Sequence, residues 1–225
     1  MRTLAIGDIH GCLTALDALL DIVKPGPDDV VVALGDFTDR GPDSRGVIER
    51  LIALKAQGRL VALMGNHDEM MLAALQGVES RTWMWCGGRE TLASYGHQPD
   101  DVRLECVPAA HREFLMSLLP YHETATHIFA HATLDPNLPL SEQPADALRW
   151  AKLDGPIKHA SGKTLVCGHT KQRSGQPLVM PGTTCIDTGA YDARGWLTCL
   201  DVESGAYWQA NQKGETRGGH LDALR

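Results

Sequence analysis

Nowhere among the 225 residues is there an apolar run near the ~18 that a membrane-spanning helix needs; runs such as Val30 to Leu34 and Leu60 to Met64 stop at a glycine. A membrane-spanning helix is therefore not expected. The opening Met1-Arg2-Thr3-Leu4-Ala5-Ile6 is too short an apolar run for a secretory leader and leads directly into polar motif residues, so the expected compartment is the cytoplasm. The six cysteines (Cys12, Cys86, Cys106, Cys167, Cys185 and Cys199) form no C-x-x-C pair, and reduced thiols packed as small apolar groups are the expected state. Basic excess is also missing: 21 Lys+Arg against 28 Asp+Glu give a net charge of -7, so no positive field is available to hold nucleic acid by its phosphates. An anionic substrate stays compatible with that charge if bound metal ions invert it locally.

What is present is an ordinary globular composition, 43% hydrophobic and 22% charged, in a chain long enough to bury roughly 70% of its unfolded surface. At roughly 150 residues per domain, residues 1–225 read as a single domain. Thr3 to Ile6 is a short β-type run ending at Gly7-Asp8, and Leu13, Leu16, Leu19, Leu20 and Val23 then recur at helical spacing. Val30 to Leu34 and Leu60 to Met64 are continuous apolar runs suited to strands covered on both faces, with helical stretches at Gly46 to Gln57 and Glu69 to Gln76. Residues 77–125, with Gly87, Gly88, Gly96 and Pro99, read as an insertion of loops and short helices over the site. Ile128 to Ala130 and Thr164 to Cys167 are further short strands, Cys185 to Trp208 alternates strand-like runs with glycine turns, and the polar Asn211 to Arg225 predicts a frayed tail.

The β-type runs hand over to the same kinds of residue: Asp8-x-His10, Asp36, Asn66-His67, His131 and His169. In open α/β sheets, loops beyond the carboxyl ends of strands are where ligands bind. Carboxylate with imidazole, without thiolate, suits divalent Mn, Fe or Zn. The six candidate ligands Asp8, His10, Asp36, Asn66, His131 and His169 exceed what one ion with an open position takes, but serve two ions if one carboxylate bridges, and Asp36, central in chain order, is the expected bridge. Two ions ~3.5–4 Å apart clamp the attacking and leaving oxygens of phosphoryl transfer. Helix capping would account for Asp8, Asp36 and Asn66 alone but not for the histidines beside them.

The blocks Gly7-Asp8-Ile9-His10-Gly11, Gly35-Asp36-Phe37-Thr38-Asp39-Arg40-Gly41, Gly65-Asn66-His67-Asp68, His131-Ala132 and Gly168-His169-Thr170 resemble, in order, the signature of the calcineurin-like metallophosphoesterases, in particular the PPP-type serine/threonine phosphoprotein phosphatases of bacteria and phage. Trp85-x-Gly87-Gly88-x-x-Thr91-Leu92-x-Ser94-Tyr95-Gly96 resembles the segment after the Asn-His motif in those members. The resemblance implies an α/β fold, a four-layer α/β/β/α sandwich of two mixed β-sheets with a dinuclear metal site at the strand C-terminal ends. It implies that Asp8, His10 and Asp36 hold one ion and Asp36, Asn66, His131 and His169 the other, with Mn expected in vitro and Fe or Zn as alternatives. His67 would be the general acid, oriented by Asp39, and Arg40 the phosphate clamp, its planar fork matching two phosphoryl oxygens. Arg149, beside Trp150, is the nearest match to the family's second phosphate-binding arginine, with Lys152 as its rival.

The implied reaction is in-line attack by a metal-bridging hydroxide on phosphomonoesters, foremost phosphoserine and phosphothreonine in proteins. Symmetrical diadenosine tetraphosphate hydrolases share the same blocks. An aromatic pair spaced for adenine within 77–125 would mark the nucleotide, and an open groove a peptide. A nucleic-acid phosphodiesterase is disfavoured by the net charge of -7, and a non-catalytic binding module by the presence of every expected ligand. Two positions depart from the family: Asp68 stands where most eukaryotic members have Glu, and Thr133 where Gly is usual. Trp83, Trp85, Tyr95 and Phe114 read as packing of the insertion rather than a substrate-stacking platform, and Asp187-Thr188-Gly189, after a strand, as a chain turn rather than a contact with the site.

Overall fold

The computed structural model describes residues 1–78, 80–97 and 104–224. The first apolar run becomes strand β1 (Thr3–Ile6), buried along its whole length. Its alternate side chains serve two cores, Leu4 and Ile6 facing a helical layer and Ala5 facing a second sheet. Helix α1 (Leu13–Val23) covers the first of these with Leu16, Leu19, Leu20 and Val23, and ends where Lys24 turns left-handed (φ 46°) and donates its N–H to the Leu20 carbonyl. Strand β2 (Val30–Ala33), helix α2 (Ser44–Ala56) and strand β3 (Leu60–Ala62) repeat the unit, α2 being capped by the Asp43 carboxylate accepting from the Gly46 N–H at 2.8 Å. β1, β2 and β3 run parallel. On its other side β1 pairs antiparallel with β9 (Leu197–Asp201), followed by β10 (Ala206–Ala210) and β11 (Thr216–His220), giving a six-stranded sheet in the order β11-β10-β9-β1-β2-β3.

The expected frayed tail is thus corrected. Residues from Thr216 form an antiparallel edge strand, and Leu221 just beyond it is buried in the core between the sheets, which anchors the segment despite its polar composition. Arg225 lies outside the described residues, as does Pro99.

The second sheet has the order β4-β5-β6-β8-β7, built from β4 (Tyr121–Glu123), β5 (His127–Ala130), β6 (Thr164–Cys167), β7 (Leu178–Met180) and β8 (Thr183–Cys185), with β5, β6 and β8 parallel. Phe129 and Val166 meet Ala5, Val32 and Leu200 in the core between the sheets, while Ile128, Leu165 and Cys167 point outward to Leu134 and Leu148. Three cores therefore separate four layers, as the α/β/β/α sandwich requires. The outermost layer is thin: a loop with one 3₁₀ turn and the five-residue helix α7 (Ala145–Arg149). Between β3 and β4 run α3 (Asn66–Leu75), α4 (Arg81–Trp83), a turn at Met84–Gly88 kinked at Gly87, α5 (Arg89–Ser94) and α6 (Ala109–Met116). Trp83, Leu92, Phe114 and Leu115 from this stretch join the helix-side core. All six cysteines are free thiols, four of them buried. Among the described residues no helix is long and apolar enough to cross a membrane.

The start of β1 is tied to the turn before β2 by one carboxylate. Asp29 accepts from the Arg2 backbone N–H at 2.7 Å, from Arg2 Nη2 at 2.6 Å and from the Gly26 N–H at 2.8 Å. The Arg2 hydrogen bond, reinforced by those backbone donors, holds the Asp29 carboxyl well below the usual range. A depressed folded-state value stabilises the fold above the unfolded value of about 4, and that contribution is lost as pH falls through the folded value. Asp29→Asn is expected to lower stability by about 1–2 kcal/mol near neutral pH. Thermal denaturation from pH 7 to pH 3 should show the gap to wild type closing on the acid side; a gap constant with pH would count against the clamp.

Candidate metal centre

Parallel strands end level with one another, so their polar continuations gather at one edge. Asp8 follows β1, Asp36 follows β2, and Asn66 and His67 open α3 just after β3; His131 and His169 follow β5 and β6 of the other sheet. To turn the side chains inward the backbone adopts the left-handed region at His10 (φ 46°), Asp36 (φ 51°), Asp39 (φ 74°), Arg40 (φ 69°) and His169 (φ 59°). Such conformations cost of order 1–3 kcal/mol each and persist where the surroundings over-determine them. Of the six described non-glycine residues with positive φ, five are these predicted site residues, the sixth being the helix-ending Lys24. Gly65 is needed for close approach, since a Cβ there would run into the backbone nitrogen and Oδ1 of Asp36.

The two oxygens of Asp36 face two different imidazoles. Oδ2 lies 3.3 Å from His10 Nε2 and Oδ1 lies 3.5 Å from His131 Nε2, while the His67 backbone N–H donates to Oδ1 at 2.9 Å. Two ligand-like clusters share this carboxylate, one with His10 and His67 and one with His131 and His169, each with its donor atoms within 4.8 Å of one another. His10 Nδ1 sits 2.8 Å from the Thr38 carbonyl and His131 Nδ1 sits 3.0 Å from the Leu34 carbonyl. A carbonyl only accepts, so Nδ1 carries the proton and Nε2 directs its lone pair inward. Burial lowers both imidazoles below their ordinary value, and it lowers His169 to about 4. At His131 that lone pair meets Asn66 Oδ1 at 3.1 Å and Asp36 Oδ1, so three acceptors converge. Such convergence calls for a cation, and the carboxylate, amide and imidazole donors fit a divalent one. Asp8 belongs to neither cluster; both of its oxygens accept from the His169 N–H at 3.1 Å, which binds the edge of one sheet to the other.

Charge points the same way. Burial and the neighbouring Asp187 and Asp36 raise Asp8 well above the usual carboxyl range, whereas Asp36 resists its own burial through His131, His67 and His10 and stays well below it. Burial pushes Asp187 up to about 6, with Asp36 adding to the rise. The turn expected at Asp187 is therefore corrected: β8 is a third parallel strand of the second sheet, and its carboxyl end delivers Asp187 to the wall of a cavity of about 360 Å³ that it shares with Asp36, Asn66 and His67.

His67 donates from Nδ1 to Asp39 Oδ2 at 2.7 Å, the arrangement the sequence reading expects. Asp39 is itself fixed: Oδ1 accepts from Trp83 Nε1 at 2.9 Å and Thr91 Oγ1 at 2.7 Å, and its N–H donates to Ser44 Oγ at 3.0 Å. Arg40 donates to His10 Nε2 at 2.9 Å and to His67 Nε2 at 2.8 Å, its guanidinium 4.6 Å over the Tyr191 ring. Trp83, Thr91 and Tyr191 were not singled out as site residues, although Thr91 lies in the Trp-x-Gly-Gly motif. Asp68 is structural, accepting from the Phe37 N–H at 2.9 Å and the Gly65 N–H at 3.1 Å. Arg149 does not line the cavity; its Nη2 pairs with Glu69 at 3.0 Å, and Lys152 lines the cavity instead, with Nζ donating to the His169 carbonyl at 2.9 Å. Of the four aromatics expected to pack, Trp83, Tyr95 and Phe114 are buried, but Trp85 is 89% exposed.

Two face-to-face mixed sheets carrying a carboxylate–imidazole cluster at their shared edge define a metal-dependent phosphoesterase, a hydrolase. The chain belongs to the calcineurin-like phosphoesterase family, which it matches over residues 1–175. It is 30% identical over 151 residues to serine/threonine-protein phosphatase 1 of Salmonella typhimurium, covering 65% of this chain and 62% of that protein. It is 42% identical over 101 residues to the symmetrical bis(5'-nucleosyl)-tetraphosphatase of Paracidovorax citrulli, covering 44% of this chain and 34% of that one. The chain thus spans less than two thirds of either relative. A solved structure of a candidate diadenosine tetraphosphatase superposes with a TM-score of 0.68 at 22% identity, over 97% of this chain and 93% of that one.

Because both clusters draw on Asp36, Asp36→Asn is expected to abolish the rise in Tm that millimolar MnCl2 gives the wild type, whereas Asp29→Asn retains it. A full Mn-dependent shift in Asp36→Asn would overturn the shared-ligand assignment.

Proposed function

We propose that this metallophosphoesterase hydrolyses phosphoserine and phosphothreonine in proteins. The observation that carries the reading is the shape of the approach: the cavity at Arg40 adjoins an open groove of about 620 Å³, and among the described residues lining that groove Trp85 is the one aromatic. An adenine slot wants two flat faces, whereas an extended peptide fits an open groove. The match to the Salmonella phosphatase over 65% of the chain, against 44% for the tetraphosphatase, supports the same choice.

In this reading Asp8, His10 and Asp36 hold one divalent ion and Asp36, Asn66, His131 and His169 the other, with manganese as the expected metal. When bound, the ions neutralise phosphoryl charge and supply an activated water nucleophile. The protein's own groups do the rest. Arg40 presents two parallel N–H donors to the phosphoryl oxygens, and the ring of Tyr191 beneath it limits where the guanidinium sits. Lys152, which lines the same cavity, is the second cation for the phosphate in place of Arg149, which Glu69 retains. Once Arg40 turns from His67 Nε2 to the phosphate, that nitrogen can carry a proton, and the charged imidazole, held at Nδ1 by Asp39, gives it to the leaving serine or threonine oxygen.

A second reading, hydrolysis of a symmetrical dinucleoside tetraphosphate, draws on the exposed Trp85 ring beside Arg40. The deciding experiment compares kcat/KM of the Mn-loaded protein on a phosphothreonine peptide and on diadenosine tetraphosphate. Peptide preference is the expected result, and a strong nucleotide preference would replace the first reading with the second. His67→Asn is expected to cost roughly 10²–10⁴-fold in kcat on the peptide. It should cost far less on p-nitrophenyl phosphate, whose leaving group needs no proton. Equal losses on both would remove His67 as the acid.

A further inference from the structure

We infer that the groove floored by the Met84–Gly88 turn is a substrate subsite in which Trp85 receives an apolar side chain of the peptide residue next to the phosphorylated one. The inference rests on the protein-phosphatase reading and adds to it the residue that selects among peptides. Trp85 is 89% exposed, while Trp83, two positions earlier, is fully buried. Leaving so large an apolar ring in water forgoes a substantial burial gain, so its exposure needs a reason. The turn that presents it is a kink between two short helices, made at Gly87, whose φ of 124° is open to glycine and strained for other residues.

Position supplies the reason. Arg40 and Cys86 line both this groove and the catalytic cavity, so the two spaces adjoin at these residues. A substrate whose phosphate meets Arg40 therefore extends its next residue over Met84, Trp85 and Cys86. The groove is also rigidly referenced to the chemistry. Trp83 Nε1 donates to Asp39 Oδ1 at 2.9 Å at the start of the turn, Thr91 Oγ1 donates to the same oxygen at 2.7 Å just after it, and a Cβ on Gly87 would meet the Arg40 backbone nitrogen at 2.6 Å. The carboxylate that orients His67 thus also fixes the platform, and contact with Trp85 is converted into placement of the scissile ester. Glu90 on the groove wall offers an acceptor for a peptide N–H. With one aromatic face among the described lining residues, the contact is one-sided, which suits an aliphatic or aromatic side chain.

The test uses the full-length Mn-loaded protein and three substrates: free phosphothreonine, a phosphothreonine peptide flanked by Leu or Phe, and the same peptide flanked by Ser. Wild type is expected to prefer the apolar-flanked peptide. Trp85→Ala should lower the ratio of its kcat/KM to that of free phosphothreonine roughly tenfold, mainly through KM, with Trp85→Phe restoring most of it. In a binding readout, a non-hydrolysable phosphonate analogue of the apolar-flanked peptide should change tryptophan fluorescence in wild type, and Trp85→Ala should lose that change. An unaltered ratio in Trp85→Ala, with wild type active on peptides, overturns the subsite while leaving the proposed function standing. If wild type instead turns over diadenosine tetraphosphate and not the peptides, the proposed function fails; a Trp85→Ala defect on that nucleotide would then make the ring a purine platform and overturn the peptide occupant.

Discussion

The site depends on one buried carboxylate whose two oxygens serve two sets of imidazoles. Withdrawing an ionised carboxylate from water is costly unless cations or donors replace the solvent; at Asp36 the His67 N–H is one donor, and the lone pairs of His10 and His131 that face its two oxygens leave the rest of that compensation to cations. Each of these histidines comes from a different strand end, and His131 comes from a different sheet. The carboxylate is therefore a point where the two sheets meet as well as the centre of the candidate chemistry. The left-handed backbone at Asp36, the close approach of Gly65 and the bidentate reception of the His169 N–H by Asp8 all follow from bringing these ends within reach of one another.

A second carboxylate does for the proton donor what Asp36 does for the cations. Asp39 accepts from His67, Trp83 and Thr91 together, leaving neither oxygen free to rotate toward another partner. Two of those donors belong to the helical stretch that links β3 to β4, so that stretch takes part in orienting His67 as well as covering the outer face of the first sheet. Preorganised hydrogen bonds of this kind stabilise developing charge without further rearrangement. Tyr191 plays a comparable part, its ring beneath Arg40 and nearly perpendicular to that of His10 at 5.0 Å.

Much of this was legible along the chain. Val30 to Leu34 and Leu60 to Met64 are apolar on both faces and end in glycine, which marks parallel strands with polar loops at their carboxyl ends. The clustered histidines were legible too, because capping needs an Asx residue but has no use for His10 or His67. Asp187 was not, since Thr183 to Cys185 is a three-residue strand of two threonines and a cysteine, with a periodicity too short to register. The terminal strand was hidden for a related reason: Thr216–His220 is solvent-facing throughout, and its pairing is specified by β10.

What the sequence determined by itself is local: which runs become strands, where glycine allows a sharp exit, and which side chains of metal-binding and proton-donating type leave each strand. Those follow from apolar periodicity and backbone sterics over a few residues. Tertiary structure alone decided that Lys152 lines the cavity while Arg149 pairs with Glu69, that Asp187 enters it, that Trp83 is buried on Asp39 and that Trp85 is left in water. Such outcomes depend on which element packs against which, and neighbours two or three residues apart in the chain, such as Trp83 and Trp85 or Arg149 and Lys152, are sent to different surroundings by contacts with residues far away in sequence.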